Sequence, residues 1–452
     1  MEKSFLNRRY KRVIQLELNE ISIEVVKNLI SRGQLPHFAK INREWSYFET
    51  TSESEYVHIE PWIQWPTVHT GHFMNDHGLF RLSDSSAIKV SQIWEALSEQ
   101  KIESAVISPM NAHRGHTVGG VFFPDPWAKS NDSYPESLSA LFALISRRVQ
   151  GHAVASPSLR EVWQGLNSCW RFQFPLKLYV DIGSQLARQK WDHLSKWRLA
   201  VLFDQLLVSI FENLLSEQKY RFNSLFLNSV AHYQHHYWRN FEPELFDDSI
   251  KSPDCRPKHD PVTYGYKLYD KILSKILSYQ DEDTLIMIAS GLSQVPFVEK
   301  EKEGGFNYYR LKNHDRFVKF LGFDNARVFP LMSRDWQIVY NSAEEMQKIR
   351  TVLEGLFVAD EALFQIDSNR EGSLFIETTV TKKLKSKDVI VQKNGTELGR
   401  FDDWFQNIAI KSGHHVGKGC FWVSEAEARK NNMSPIPLTA LFHIGLEALR
   451  SS

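Results

Sequence analysis

The residue types that carry acid–base and metal chemistry are concentrated in short segments, most of which follow a run predicted to be a strand. These segments hold Glu17, Asn19 and Glu20; Glu60, Trp62, Gln64, Trp65, His69, His72 and His77; His113 and His116; His232, Gln234, His235 and His236; Gln294, Arg310 and His314; and His414 with His415. Imidazoles exchange protons near neutral pH, and imidazoles and carboxylates both bind divalent metal ions. The segments are therefore the candidates for a functional site.

The run HYQHHYW at 232–238 is the densest of them. Three imidazoles within five residues at the end of a predicted strand exceed any packing need, so we expect at least two of them to act directly in a site. His414 and His415 are adjacent, and two neighbouring side chains in a loop cannot easily both face one ligand.

Two kinds of chemistry fit these residues. A glutamate with several histidines can bind one divalent metal ion, and the candidate ligands are His232, His235, His236 and His414. Without a metal, Glu60 or Glu20 would act as general base and His235 or His415 as general acid. Glu20, Glu60, His235 and His415 are therefore the candidate catalytic residues.

Other polar and aromatic side chains near the same strand ends are candidates for substrate contacts. Trp62 and Trp65 would suit stacking on a sugar or a base, although core packing is the plainer reading of a tryptophan. The predicted substrate-binding residues are Asn19, Trp62, Gln64, Trp65, His69, His72 and Arg310.

Short apolar runs alternate with helical patterns and would position these residues. The runs are VIQLEL at 13–18, SAVIS at 104–108, SLFLNSV at 224–230 and TLIMIAS at 284–290. Ser22 is a plausible N-cap of the first helix, which Gly33 ends. This alternation predicts an α/β fold with a mostly parallel central sheet and helices on both faces. In such sheets, ligands bind beyond the carboxyl ends of the strands.

The alternation changes in two regions. Between 128 and 221 helical periodicity dominates, which predicts a helical cap insertion. Between 342 and 405 a helical pattern and the β-rich runs SLFIETTV and DVIVQ predict a small α+β lobe. The core would then comprise 1–127, 222–341 and a C-terminal segment at 406–452.

Composition excludes several classes of protein. Lys plus Arg and Asp plus Glu both number 54, so no global basic field indicates nucleic acid as a partner. The three cysteines are scattered, as in reduced cytoplasmic proteins. Met1–Arg12 lacks the apolar run of a signal peptide, and charges interrupt the apolar stretch 199–215. We expect a cytoplasmic protein with no membrane span; its oligomeric state is open.

Several motifs carry a family resemblance. They are LNE at 18–20, GQLPHFAKI at 33–41, HTGHFMNDHGLF at 69–80, NSVAHYQHHYW at 228–238, TLIMIASGL at 284–292 and SGHHVGKGCFW at 412–422. In order and spacing they resemble the type I phosphodiesterase and nucleotide pyrophosphatase branch of the alkaline phosphatase superfamily. The resemblance implies an alkaline-phosphatase-like fold and a site with two metal ions and a nucleophile.

The residues at those implied positions depart from the family pattern. Asn19 stands where the first strand normally ends in aspartate, and Pro61 stands nine residues before Thr70, where the nucleophile belongs. Ala231 replaces a further aspartate, and Ser290 with Gly291 replaces an Asp-His pair, whereas His235 and the 414–415 pair keep imidazole. A two-zinc site is therefore not expected, and a single divalent metal remains compatible with the residues.

The run EPWIQWPTVHTG at 60–71 resembles proteins encoded with cell-surface polysaccharide genes. This resemblance implies a phosphorylated carbohydrate or nucleotide-sugar as substrate, cleaved by a diverged phosphodiesterase. Glycosyl transfer on the same fold is an alternative, because it needs a base but no covalent nucleophile. A non-catalytic protein that binds such a ligand, or a partner enzyme, is the other.

Overall fold

The computed structural model describes residues 5–53, 55–82, 84–150, 174–331, 334–340, 342–370, 372–425 and 435–449. Residues 151–173 of the predicted helical insertion lie outside these ranges. The apolar run at 13–18 forms the centre of the largest sheet, as strand β1 (Arg12–Leu18).

This sheet has eight strands and is parallel except for one member. The strands are β1, β2 (Ser46–Thr51), β3 (Ser104–Ile107), β4 (Val121–Phe123), β5 (Phe222–Leu227), β6 (Thr284–Ala289), β19 (Lys418–Val423) and β20 (Ile436–Pro437). Their order is β20-β2-β19-β6-β1-β5-β3-β4, and β19 runs antiparallel to both of its neighbours. The mostly parallel sheet predicted from the sequence is confirmed.

Helices supply the remaining layers. Their bounds are α1 (Ile23–Ser31), α2 (Pro36–Glu44), α3 (Pro61–Thr70), α4 (Met74–His77), α5 (Ile93–Glu99), α6 (Ser139–Gln150), α7 (Leu176–Trp191), α8 (Arg198–Ser216), α9 (Ser229–Phe241), α10 (Pro261–Leu277), α11 (His314–Phe320), α12 (Ala343–Glu354), α13 (Phe401–Trp404) and α14 (Ala440–Leu449).

Alternation along β1 divides the core into two apolar clusters, one on each face of the sheet. Ile14, Leu16 and Leu18 point into a cluster with α1, α2 and α8–α10. Val13 points into the opposite cluster, which contains residues of α3, α5 and α14. Helices therefore cover both faces, as a buried parallel sheet requires.

The described part of the predicted insertion is helical, comprising α6, α7 and α8. Residues of α8 belong to the cluster on the sheet, so this helix is part of the covering layer as well. Among the described residues, α8 is the one helix long and apolar enough to cross a membrane, and half of its apolar window is buried within the structure.

A separate lobe has its own apolar cluster, which runs from Tyr309 to Phe405. Its strands are β8 (Phe306–Leu311), β9 (Arg327–Pro330), β10 (Asp335–Val339), β11 (Leu356–Val358), β12 (Glu361–Ala362), β13 (Phe364–Arg370), β14 (Ser373–Thr378), β15 (Val389–Gln392), β16 (Glu397–Arg400) and β17 (Phe405–Lys411). The lobe cluster starts upstream of the boundary predicted at 342, because β8 pairs with β17 and β10 pairs with β14.

The last pair of strands connects the lobe to the core. Strand β18 (Gly413–Val416) follows β17 directly and pairs antiparallel with β7 (Ser293–Pro296), which follows β6. In this register His415 lies opposite Gln294 and His414 opposite Val295. Since side chains alternate along a strand, the two histidines point to opposite sides.

Candidate active site

Glu20 is the buried centre of the site. It follows β1 at the carboxyl edge of the sheet, is 2% exposed, and has a left-handed backbone conformation with φ 58°. Such a conformation is unfavourable for a side chain other than glycine and persists only where the surroundings hold it. The Gln234 amide donates to the Glu20 carbonyl at 2.7 Å, and the Tyr266 hydroxyl donates to Gln234 Oε1 at 2.6 Å.

Three side chains from distant parts of the chain converge here. His235 Nε2 lies 3.0 Å from Glu20 Oε2, and His415 Nε2 lies 3.1 Å from the same oxygen. The two Nε2 atoms are 3.0 Å apart. His415 Nδ1 also lies 3.2 Å from Glu60 Oε2. We call Glu20, His235 and His415 the histidine–glutamate centre, with Glu60 beside it.

The outer ring nitrogens of both histidines fix the direction of their lone pairs. His235 Nδ1 lies 3.3 Å from the Gly413 carbonyl, and His415 Nδ1 lies against the Glu60 carboxylate. Both partners accept hydrogen bonds only, so both Nδ1 atoms carry the proton. A neutral imidazole then presents a lone pair at Nε2, and two such lone pairs and a carboxylate oxygen face one another.

Acceptors that converge in this way need a cation between them, either a proton or a metal ion. Neighbouring ligand atoms around a tetrahedral zinc ion lie about 3.3–3.4 Å apart, close to the distances of the centre. Bonds from the outer nitrogens to a carboxylate and a carbonyl are also those that metal-binding histidines make. The three residues therefore fit one divalent ion.

A proton satisfies the same group when no metal is bound. Burial opposes a charge on His415, but Glu20 and Glu60 outweigh it and raise the pKa of His415 to about 10. Burial likewise opposes ionisation of Glu20, yet the His415 and His235 rings hold its pKa well below the usual range. The metal-free centre is thus an ion pair of Glu20 with imidazolium.

Amide groups complete the surroundings of the Glu20 carboxylate. Asn19 Nδ2 donates to Oε1 at 2.8 Å, and Gln294 Nε2 donates to Oε2. Gln294 Nε2 also donates to the Ala231 carbonyl at 3.0 Å. Both amides are buried, so they orient the carboxylate without adding charge.

The histidine run lies on the helix that follows β5, and the strand predicted at 224–230 ends earlier, at Leu227. Strand β5 ends at Leu227, and α9 begins at Ser229 because the buried Asp204 accepts from the Ser229 amide at 3.0 Å. Within α9, spacings of three and four residues place side chains on one face. His232 and His236, four residues apart, pack together with ring centroids 4.7 Å apart. His235, the neighbour of His236, is the member of the run that reaches Glu20.

The other candidate metal ligands lie next to the centre and outside it. Burial lowers the pKa of His232 to about 4 and holds that of His236 well below its usual value, so both rings are neutral. His236 packs edge-on against Tyr308 of the lobe at 5.9 Å. His414, on the opposite side of β18 from His415, packs against Phe297 at 5.6 Å.

A tryptophan fills the space among the residues that depart from the family pattern. Trp65 is fully buried, its indole donates to Asn19 Oδ1 at 2.7 Å, and a Cβ on Gly291 would lie 3.0 Å from its ring. The Ser290 hydroxyl accepts from the Cys420 amide at 2.9 Å. Pro61 is the first residue of α3, directly after Glu60. The residues that depart from the family pattern therefore make packing contacts and hydrogen bonds within the protein.

The predicted substrate-binding residues do not gather in one place. Gln64 and His69 are buried, like Trp65 and Asn19, so direct contact with a ligand is closed to them in this conformation. Trp62 is half-buried and donates to the Phe80 carbonyl at 3.3 Å. His72 is half exposed beside Asp76, and Arg310 lies half-buried on the lobe.

Sequence reasoning missed several charged residues of the lobe that lie near Glu60. The charge of Glu60 contributes to the pKa values of Lys411 and Asp335, which places both within its field. Burial, Glu377 and Glu60 raise the pKa of Asp335 to about 7, against the effect of Arg334. No local motif marks these residues, because strand pairing across the lobe brings them to the site.

The mostly parallel sheet and its helical layers define an α/β protein whose candidate site lies at the carboxyl edge of the sheet. Among solved structures, phosphonoacetate hydrolase from Sinorhizobium meliloti is 14% identical, with 98% of each chain covered and a TM-score of 0.45. Human ectonucleotide pyrophosphatase / phosphodiesterase 5 is 10% identical, covering 98% of this chain and 95% of that one, with a TM-score of 0.44.

A TAB5 alkaline phosphatase mutant is likewise 10% identical, covering 98% of this chain and 99% of the other, with a TM-score of 0.42. No family model and no curated protein matches the chain. The α/β fold predicted from the sequence is confirmed by the described strands and helices. Membership of the alkaline phosphatase superfamily stays a prediction. At these identities and TM-scores, the role of a residue has to be argued from this chain's own geometry.

Proposed function

We propose that the protein is a diverged phosphodiesterase-like enzyme built on one divalent metal ion held by Glu20, His235 and His415. The observation that carries this proposal is the convergence of two imidazole lone pairs and a carboxylate oxygen on one point. When bound, such an ion would neutralise phosphoryl oxygens and polarise the phosphorus centre. His414, His232 and His236 would support the centre by packing.

Glu60 would act as the general base. Its side chain is 32% exposed, against 2% for that of Glu20, and it is fixed to the centre through His415. Because Pro61 offers no nucleophile, the attacking oxygen must come from water or from an acceptor hydroxyl. Glu60 would take the proton of that oxygen, and this step serves hydrolysis and transfer equally.

The substrate we propose is a phosphorylated carbohydrate or nucleotide-sugar of surface polysaccharide metabolism, handled in the cytoplasm. This choice is supported by the resemblance of the run at 60–71. Glycosyl transfer remains the alternative reaction, and identification of the products will separate it from hydrolysis.

Metal analysis tests the centre directly. We expect about one zinc or manganese ion per chain, lost in Glu20→Gln, His235→Ala and His415→Ala. His116→Ala is the matched control, because this half-exposed histidine bonds Glu95 and Glu99 far along the chain from the centre. Two tightly bound ions per chain, or full retention of metal by the three variants, would contradict the proposal.

Activity is tested with p-nitrophenyl phosphodiesters and nucleotide-sugars, with and without a chelator. We expect Glu60→Gln to lower kcat by about 100-fold or more, the usual contribution of a general base. Unchanged activity in both Glu60→Gln and His235→Ala would place the reaction elsewhere.

A non-catalytic binding protein is the second candidate, and one observation favours it. Protonated His415 lies between the Glu20 and Glu60 carboxylates, at 3.1 and 3.2 Å, and balances one of their two negative charges without any ligand. Nucleotide-sugar binding without turnover, unaffected by metal, would support this candidate.

A further inference from the structure

A second polar surface faces the histidine–glutamate centre from the lobe. Strands β8 and β17 form a two-stranded ribbon in which Phe306, Tyr308 and Arg310 alternate with buried residues and share the half-buried face. Lys411 lies directly across from Phe306 in the register. We call Phe306, Tyr308, Lys411 and the adjacent Arg334 the ribbon face.

Two cations lie over the aromatic rings of this face. Lys411 Nζ is 4.6 Å from the centroid of Phe297 and 5.3 Å from that of Phe306. The Arg334 guanidinium is 5.2 Å from the centroid of Phe306 and 5.7 Å from that of Tyr308. The rings hold both cations in place at one end of the ribbon.

These cations differ in their partners. Arg334 forms an ion pair with Glu377. Lys411 forms no ion pair or hydrogen bond with the residues that the structure describes, although burial lowers the pKa of its ammonium group. The charges of Glu60 and Glu299 offset this effect of burial only in part. A cation withdrawn from water with no carboxylate in contact is unfavourable, and an incoming anion would relieve that cost.

The ribbon face adjoins the centre. Tyr308 packs against His236, the neighbour of His235 on α9, with ring centroids 5.9 Å apart. Glu60, which bonds His415, partly offsets the lowering of the Lys411 pKa. An anion at Lys411 would therefore lie on the same side of the site as the proposed general base.

We propose that Lys411, with Arg334, binds a second oxyanion of the ligand whose reacting group lies at the histidine–glutamate centre. The placement of the reacting group at the histidine–glutamate centre rests on the proposed function, whereas the binding of an oxyanion at Lys411 does not. Phosphate and carboxylate share the required chemistry. Arg310 lies four residues along β8 from Phe306, about 13 Å away, which is too far to share one compact oxyanion.

Calorimetry with inorganic pyrophosphate and with malonate, on the full chain in chelator, tests the subsite. We expect Lys411→Met to weaken binding of the preferred anion by about 10-fold or more. This substitution keeps an unbranched apolar side chain packed on the rings of Phe297 and Phe306. Lys411→Arg should restore most of the affinity. Lys418→Met is the matched control, since it removes one exposed lysine that pairs with Glu49.

Each result decides one question. Loss of pyrophosphate binding in Lys411→Met identifies a phosphate subsite, and loss of tighter malonate binding identifies a carboxylate subsite. Equal affinity of wild type and Lys411→Met, no binding of either anion, or an equal loss in Arg310→Gln would overturn the proposal.

Turnover separates this proposal from the proposed function. We expect Lys411→Met to raise the KM for a nucleotide-sugar and to leave that for bis(p-nitrophenyl) phosphate, which has one anionic group, nearly unchanged. If no substrate is turned over but pyrophosphate binding still depends on Lys411, the proposed function fails and the subsite stands.

Discussion

Glu17 of β1 and His69 of α3 form a buried contact between the sheet and its helical layer, next to the site and separate from it. Both side chains are fully buried, and His69 Nε2 lies 3.0 Å from Glu17 Oε2. Gln15 Nε2 and Ser224 Oγ donate to the other oxygen at 2.8 and 2.7 Å. Burial opposes ionisation, but His69 and these donors hold the pKa of Glu17 below its usual value. The carboxylate is therefore ionised within an apolar core.

Replacing His69 alone should lower the free energy of unfolding more than replacing Glu17 and His69 together. We expect His69→Gln to lower the free energy of unfolding by about 3–5 kcal/mol, because it leaves a buried charge unpaired. The double variant Glu17→Gln/His69→Gln should lose less. Urea unfolding measures both, with the half-exposed His72→Ala as control, expected within about 0.5 kcal/mol of wild type.

The stability contributed by the Glu17 carboxylate depends on pH in a defined direction. Since the folded-state pKa of Glu17 is lowered, its contribution is present above about pH 4.3 and disappears as the pH falls through the lowered value. The gap between wild type and Glu17→Gln should therefore narrow in acid. If the double variant is as unstable as His69→Gln, the packing of the His69 ring, and not its contact with the Glu17 carboxylate, accounts for the loss in free energy of unfolding.

At the scale of elements, local sequence patterns predicted strands and helices but not which of these elements contact each other. The runs at 13–18, 104–108 and 284–290 became β1, β3 and β6, because short apolar runs suit buried parallel strands. The composition of the runs at 373–380 and 388–392 was also sufficient to predict the lobe strands β14 and β15. Pairing of β18 with β7 was not predictable, and that register decides which of His414 and His415 reaches Glu20.

The sequence did not show that the histidine run lies on a helix, because a residue far away in the sequence caps the start of that helix. Asp204 of α8 accepts from the Asn228 and Ser229 amides and from the Tyr269 hydroxyl. A distant cap of this kind leaves no trace in the run itself, where only an N-cap within the sequence would be read. The candidates Glu20, His235 and His415 were nevertheless named from their residue types, their places after predicted strands and the family resemblance.

The cap of α9 can be tested with two substitutions. Asp204→Ala removes the acceptor and should lower the free energy of unfolding by about 1–3 kcal/mol, since two backbone amides and a hydroxyl lose their partner. Burial raises the pKa of Asp204 to about 6, so its charge is unfavourable at neutral pH. Asp204→Asn keeps an acceptor oxygen without charge and should cost clearly less.

Hydrogen exchange locates the effect of these substitutions. Faster exchange of the first amides of α9 in Asp204→Ala, with little change in α12 of the lobe, is the expected pattern. A uniform change over both helices, or equal losses in the two variants, would show that Asp204 does not act as the cap of α9.

At the scale of the whole molecule, the lobe has its own apolar cluster and contacts the core through ion-pair and ring contacts. Arg81, in the connection after α4, bonds Asp367 of β13 at 2.8 Å and lies 4.1 Å from the ring centroid of Phe375 on β14. Since the ribbon face belongs to the lobe and Glu20 and His235 belong to the core, the angle between lobe and core sets the distance between the ribbon face and the histidine–glutamate centre.

Loosening this junction should therefore affect ligand binding more than global stability. We expect Arg81→Met and Asp367→Asn each to lower the free energy of unfolding by about 1 kcal/mol or less, as for a partly exposed ion pair. Both should speed amide exchange in β13 and β14 and raise the KM for a ligand that spans the junction. Lys348→Met, which breaks an exposed pair with Glu344 on α12, is the matched control. Unchanged exchange and KM in both variants, or additive effects in the double variant, would show that the Arg81–Asp367 pair does not couple lobe to core.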